Sequence, residues 1–250
     1  MIIQFQKGEK IFSADLAKPL DISIPLQFNS LENANAWYAP MPEAEPQQFG
    51  NFKISVADGA AVNSLGVRLF PHGNGTHTEG VGHISRALIS VNSSLKTYHF
   101  VAKLVSIFPT KVDDDRVILR HQMGEIFEQN EAEALIIRTL PNDDWKLKMN
   151  YSGSNPPYFQ AEALEYLAEM GLNHLLTDLP SVDKEDDGGH VLAHKAFWQF
   201  GEYLRLDATI TEMIFVPKDI KDGLYLLNLQ IPSFELDAAP SKPVLYEILG

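Results

Sequence analysis

The sequence predicts a mixed α/β fold with a mixed sheet core and few helices, and three observations carry that expectation. Short alternating or continuous apolar segments of strand length recur along the chain. Only two or three segments have helical composition, and they do not alternate regularly with the strands as a pure βαβ fold requires. The 250 residues are 45% hydrophobic, ample for a packed core, with no repeat and no compositional shift that marks a boundary. Residues 1–250 therefore read as a single domain.

Residues 2–5 alternate and read as a short strand. Residues 21–28 alternate more clearly, with Ile22, Ile24, Leu26 and Phe28 on one face. Residues 29–50 are rich in Asn, Pro and Gln and carry Trp37 and Tyr38, the chemistry of a lid or an interface arm. Residues 52–56 and 64–70 read as strands around a Gly-Ala-Ala turn. Apolar runs at 85–91 and 97–108 read as buried strands, 109–116 as an acidic exposed turn, and 123–130 as a short helix. Residues 134–139 form a continuous apolar run, the pattern of a strand buried on both faces. Residues 141–157 form a loop that carries Trp145 and Tyr151.

The clearest helix is 160–170. Good helix formers dominate it, Leu164 and Leu167 define a stripe, and Gly171 stands where a C-terminal glycine belongs. A strand at 172–178 and a loop at 180–189 follow. A second helix is expected over 191–204, with His194, Phe197, Trp198 and Phe200. A strand at 209–215 contains Glu212, Asp222-Gly223 makes a tight turn, and 224–231 is a further strand.

Composition excludes several functions. The net charge of −13, with acids and bases mixed along the chain, argues against binding a nucleic-acid backbone. There are no cysteines, so disulfides, iron–sulfur clusters and thiol chemistry are ruled out. The N-terminus lacks the basic start and apolar run of a signal peptide, and no apolar run reaches membrane-spanning length. The expectation is a cytoplasmic enzyme with a small-molecule substrate and neither nucleic-acid nor membrane partners.

The chemistry concentrates in residues 71–83, P-H-G-N-G-T-H-T-E-G-V-G-H. This stretch holds three of the eight histidines, His72, His77 and His83, together with Glu79 and four glycines. Neutral imidazoles and a carboxylate are the donor set that suits zinc, manganese or iron. His77 and Glu79 stand at i and i+2, so on an extended chain they project to the same side, about 7 Å apart. The glycines let the backbone turn so that His72 and His83 approach as well. The alternative is a polar surface loop with incidental histidines, which the density of imidazoles disfavours. A phosphate-binding loop fails on pattern, because neither G-x-G-x-x-G nor Gly-Lys-Ser/Thr is present. No G-x-S-x-G motif marks a serine nucleophile, and Ser181 reads as a turn residue.

His190 and His194 are four apart, but Lys195 follows His194 and no H-E-x-x-H zinc motif forms. A lone helical histidine is usually structural. Glu212 is more telling, because a carboxylate in a strand of Ile, Met, Phe and Thr is costly unless paired or metal-bound. The solvent face of an edge strand, or an ion pair, would also explain it.

Gly75-Thr-His77-x-Glu79-x-x-x-His83, then Thr177 to Asp183 (T-D-L-P-S-V-D), then Ala193-His-Lys-Ala-Phe-Trp198, then Thr211-Glu212 resemble, in this order, the cyclase family of metal-dependent hydrolases. Bacterial kynurenine formamidases (arylformamidases) belong to that family. Its pattern is H-x-G-T-H-x-D-x-P-x-H, a D-x-P-S-x-D segment, a histidine at a helix start and a glutamate on the next strand. The resemblance covers roughly residues 20–250. It implies a swivelling β/β/α domain in a homodimer, holding one or two zinc or manganese ions. It implies His72, His77 and Glu79 as metal ligands, His83 and Glu212 as further ligands, and His194 as the general acid/base. Trp37, Tyr38, Phe197 and Trp198 are candidates for an aromatic pocket.

The departures define a divergent branch. The family's first histidine falls where this chain has Gly73, and His72 lies one residue earlier. Glu79 replaces an aspartate and Val81 a proline, and the gap from His194 to Glu212 is longer. The resemblance implies hydrolysis of an amide, such as the aryl formamide N-formylkynurenine of tryptophan catabolism, or of a related ester or lactone. A lyase or cyclisation reaction at the same metal, and a metal-free binding protein that kept the fold, are the alternatives.

Overall fold

The structure, a computed structural model, describes residues 1–201 and 203–249. An 11-stranded mixed sheet forms its centre. The strands along its path are β1 (Ile2–Lys7), β2 (Lys10–Asp15), β3 (His77–Glu79), β4 (His99–Ile107), β5 (Ala134–Thr139), β6 (His174–Thr177), β7 (Thr209–Glu212), β8 (Gly223–Asn228), β9 (Ala238–Pro240) and β10 (Val244–Leu249). Their spatial order is β1-β2-β10-β8-β4-β5-β6-β7-β3-β9, and Leu20–Asp21 pairs with β10 off that path.

The four α-helices among the described residues are α1 (Val91–Ser94), α2 (Arg120–Ile126), α3 (Ala161–Glu169) and α4 (Leu192–Phe197). Strands β4 to β7 are parallel neighbours, joined by crossovers that contain α2, α3 and α4. The flanking pairs are antiparallel. The fold is thus mixed α/β as expected, with βαβ units at its centre that the sequence did not announce. Their helices, of seven, nine and six residues, fall on the segments 123–130, 160–170 and 191–204 that read as helical, but the parallel pairing of the strands they join left no local mark.

Every residue of β5 is buried. Successive side chains point to opposite faces, so Leu135 and Ile137 join Leu164, Leu167, Phe197 and Trp198 beneath the helices. Ala134 and Ile136 enter the opposite core with Leu104, Leu176 and Leu227. Fully burying a Leu or Ile side chain contributes about 1.5–3 kcal/mol, so the two layers clamp the parallel strands that end at the site.

The turn expected at 109–116 is a hairpin of strands Thr110–Val112 and Asp115–Ile118, the strand expected at 52–56 shortens to Phe52–Lys53, and three further differences bear on the site. Residues 21–28 keep the predicted inward Ile22 and Ile24, but only Asp21 joins a strand. Pro25 has no N–H to give a ladder, and the Ile24 N–H instead donates to Thr76 Oγ1 at 2.8 Å. Residues 85–91 are no strand, and Arg86, Ala87 and Leu88 are exposed. Both edges of β3 are already taken by β7 and β9, so the chain leaving it turns through Val81–Ile84 into α1. The helix expected over 191–204 stops at Phe197, where Gln199 (φ 48°) and Gly201 (φ 107°) reverse the backbone. Phe197 and Trp198 are buried in the core beneath the sheet, which removes them from the candidate pocket wall.

Candidate metal centre

β3 places the first two site residues. His77 and Glu79 lie two apart on a fully buried strand and so share a face. The antiparallel register sets Glu212 of β7 opposite His77, on that same face. On the other side β9 sets Ala238 opposite Glu79, and the Gly80 N–H donates to the carbonyl of Asp237 at 3.0 Å. Short 3-10 turns on either side of β3, Pro71–Gly73 and Val81–Ile84, bring in His72 and His83. The rings of His72 and His83 lie against each other, with centroids 4.1 Å apart and planes tilted by 30°. α4 carries His194 over the strand.

The offset of the first histidine has a steric cause. A Cβ on Gly73 would sit 2.4 Å from Ala39 Cβ and 3.1 Å from the Ala36 carbonyl. No side chain fits at position 73 while the 36–39 turn packs there, and His72 reaches inward from one residue earlier. Gly75, at φ 73°, aims its carbonyl at the His77 ring.

That carbonyl accepts from His77 Nδ1 at 3.0 Å, so the proton sits on Nδ1 and the Nε2 lone pair is free. His77 Nε2 and Glu79 Oε2 are buried and have no hydrogen-bond partner among the described residues. His72 Nδ1 lies 2.9 Å from Glu79 Oε2. His72, His77 and Glu79 each offer a ligand atom within 4.8 Å of the others, as do Glu79, His83 and His194, and His72, His83 and Asp237. Glu212 Oε2 is 3.4 Å from His77 Nε2, and its Oε1 accepts the Val182 N–H at 3.0 Å. Buried polar atoms are normally paired. Two orphans that converge with imidazole nitrogens are what a divalent cation would satisfy, and the donor set fits one.

His194 is held at both nitrogens. Nδ1 lies 2.5 Å from Asp183 Oδ2 and Nε2 lies 3.0 Å from Glu79 Oε1. Asp183 also accepts the backbone N–H groups of Ala193 (2.7 Å) and His194 (3.2 Å), so it caps the start of α4 and orients its histidine in one contact.

Burial opposes the charged form of His194, but the Glu79 charge and the Asp183 hydrogen bond raise its pKa to about 10. Burial likewise opposes charge on His72, which Asp237 and Glu79 raise to about 10. Burial disfavours the Glu79 carboxylate, but the charges of His83 and His194 hold its pKa well below the usual range. Asp237 is held far below its usual value by His72 and then His83. Carboxylates here meet protons on imidazoles, and those are the protons that metal binding displaces.

All six sequence-predicted residues, His72, His77, Glu79, His83, His194 and Glu212, converge here. His190 is exposed on a loop, and Ser181 is a turn residue whose Oγ accepts the Asp183 N–H at 3.1 Å. Two members were missed. Asp183 stood within a quoted motif without a role, and its spacing before the helix was the available signal. Asp237 gave none. Beside the cluster opens a cavity of about 610 Å³ walled by Trp37, Tyr38 and Phe70, with His83 and His194 among its lining residues. Trp37 and Tyr38 are held at φ 59° and 51°, a left-handed backbone that bulky residues rarely adopt. The Tyr38 N–H is fixed there by Ser152 Oγ at 2.9 Å.

Comparison with known proteins places this architecture. A structure described as a potential metal-dependent hydrolase with cyclase activity superposes with a TM-score of 0.63 at 17% identity, covering 92% of this chain and 98% of that one. An isatin hydrolase bound to the product analogue thioisatinate gives a TM-score of 0.66 at 12% identity over 93% of each chain. Isatin hydrolase A from Labrenzia aggregata, bound to benzyl benzoate, gives 0.65 at 11% identity over 92% of this chain and 93% of that one. At these identities the likeness is one of fold. No curated protein matches in sequence. The family model described as "Putative cyclase" matches residues 15–184, a span that holds His72, His77, Glu79, His83 and Asp183. The chain belongs to the cyclase family.

Proposed function

We propose that the chain is a metal-dependent hydrolase of a carbonyl compound, with an aryl formamide such as N-formylkynurenine as its first substrate class and related esters and lactones next. The observation that carries this reading is the pair of orphaned buried atoms, His77 Nε2 and Glu79 Oε2. In this reading His72, His77 and Glu79 hold a zinc or manganese ion, and His83 and Glu212 complete a second position where two ions bind. A divalent ion supplies a Lewis acid that polarises the carbonyl and lowers the pKa of water toward about 7.

The protein's own groups do the rest. The Gly75 carbonyl keeps the His77 lone pair pointed into the site. Asp183 fixes the His194 ring, whose Nε2 passes a proton to the departing amine as general acid/base. Trp37, Tyr38 and Phe70 offer an apolar wall on which an aryl ring can lie. Membership of the cyclase family supports the reading, and the isatin hydrolases that share the fold put isatin in the same substrate panel.

A homodimer belongs to this proposal. Among the described residues, strands Glu43–Pro46 and Leu65–Arg68 pair only with each other, and Phe49, Phe52, Val62, Leu65 and Val67 on this arm are exposed. An isolated two-stranded ribbon is marginal in water, and apolar exposure of this kind favours association. Among the described residues no helix is long and apolar enough to cross a membrane.

The test is metal analysis by mass spectrometry on untagged protein purified without chelators, followed by assays with zinc and manganese on formamides, isatin, esters and lactones. One or two equivalents of metal and formamide hydrolysis are expected. The double variant His77→Ala/Glu79→Ala should lose both while its circular dichroism stays unchanged. No uptake of either ion by the wild-type protein would overturn the proposal.

A further inference from the structure

The geometry points to Asp237 as a positioning residue for the two outer imidazoles, an inference that rests on the metal reading above. We propose that its carboxylate fixes His72 and His83 by their outward nitrogens, so that their inward nitrogens face Glu79.

The two stacked rings share a pattern. His72 presents Nδ1 to Glu79 Oε2 at 2.9 Å and Nε2 to Asp237 Oδ2 at 2.8 Å. His83 presents Nε2 to the same Glu79 oxygen at 3.9 Å and Nδ1 to the same Asp237 oxygen at 3.5 Å. One carboxylate oxygen lies beyond both rings and one beneath them. The two ends are not equivalent. The outer contact of His72 is an aligned hydrogen bond. The inner one is not, since Glu79 Oε2 has no hydrogen-bond partner despite its short distance from Nδ1. Nε2 of His72 therefore keeps the hydrogen it donates to Asp237, and Nδ1 is the nitrogen whose proton an ion would displace.

This chain has a particular need for such a group. His72 sits on a 3-10 turn rather than on β3, and its side chain is 27% exposed. An imidazole so placed can present either nitrogen, and a carboxylate on the far nitrogen is what fixes tautomer and ring orientation in metal sites. Asp237 is rigid enough for the task. Its carbonyl accepts the Gly80 N–H, and the residue after it is paired with Glu79 across β3 and β9. The carboxylate that compensates for the displaced histidine thus comes from the residue that leads into the strand flanking the ligands.

The test compares wild type with Asp237→Ala and Asp237→Asn. Zinc and manganese affinity and stoichiometry are measured by calorimetry with a competing chelator. Asp237→Ala should bind 10- to 100-fold more weakly at unchanged stoichiometry. Asp237→Asn, which keeps an accepting oxygen, should recover part of the loss. Unchanged affinity would overturn the proposal. So would loss of a whole equivalent, which would make Asp237 a direct ligand. A second readout needs no ion. In metal-free protein, nitrogen-15 NMR should show a protected His72 Nε2–H signal, assigned with His72→Gln and absent from Asp237→Ala. Lack of that signal in the wild type would overturn the inference, whereas failure of the wild type to take up metal would strike the hydrolase reading instead.

Discussion

Two of the polar clusters buried in this molecule are treated in opposite ways. Around Lys146 every hydrogen is used. Its Nζ donates to the Thr139 carbonyl (2.7 Å), to Thr139 Oγ1 (3.0 Å) and to Asp178 Oδ2 (2.7 Å). Asp178 also accepts the Thr139 N–H at 3.0 Å and its hydroxyl at 2.9 Å. Around Glu79 the account does not close, because Oε2 and the facing His77 Nε2 are left over. An unmet buried polar group costs about 1–3 kcal/mol. A chain that completes one network and leaves the other open has built a brace in the first and a binding site in the second.

The strongest way to break that contrast is His194, which belongs partly to each kind. Its Nδ1 is satisfied by Asp183, and its Nε2 faces the open half of the site. Replacing it with Gln should lower kcat about a hundred- to ten-thousand-fold, the range for loss of a general acid/base. Metal content should stay at the wild-type level. If metal is lost together with activity, His194 is a ligand, and the division between a holding group and a proton-moving group fails.

The next test strikes the brace. Lys146→Met leaves the Asp178 carboxylate buried without its cation, and breaking a buried pair in this way costs about 3–5 kcal/mol. Unfolding in urea should show a loss of that size, with metal affinity of the folded protein unchanged. A variant as stable as wild type would mean that the closed network is not what holds residues 178–183 in place. A variant that also loses metal would show the two clusters to be coupled.

How much of this was legible in the sequence follows from the same geometry. His72, His77, Glu79 and His83 could be read because they crowd one short segment, and the i, i+2 rule holds on any extended chain. Glu212 betrayed itself as a carboxylate among apolar strand residues, and β5 did so through the apolar run Ala134–Ile137. Asp237 lies 165 residues from the imidazole it holds. It is brought there by pairing between β3 and β9, strands of three residues each, too short for any period to announce. The crossover helices registered by composition, but the parallel pairing of the strands they join left no local mark. The helix expected over 191–204 ran on through the aromatic patch of Phe197, Trp198 and Phe200, whereas the backbone reverses just beyond Trp198 to seat its Nε1 on the Ala208 carbonyl at 2.9 Å.

The mildest test of the contrast asks whether a closed polar environment elsewhere in the sheet stays silent when pH changes. His174 on β6 is buried, with Nδ1 2.8 Å from Thr209 Oγ1 and the Phe100 ring centroid 4.1 Å from its own. Burial is the main cause that lowers its pKa from 6.5 to about 4, with the Asp207 charge opposing and Arg205 assisting. Because the folded pKa is depressed, the unfolded chain binds a proton between about pH 6.5 and pH 4 that the folded chain refuses. The contribution of neutral His174 to stability is therefore complete above about 6.5, falls as the pH drops through that window, and levels off below it. From pH 7 to pH 5 the loss should be about 2 kcal/mol. Urea unfolding at the two pH values should show the wild type losing about that much more than His174→Gln. Equal losses would mean that the ring charges without strain, and that a closed environment at this depth still admits a proton as readily as water does.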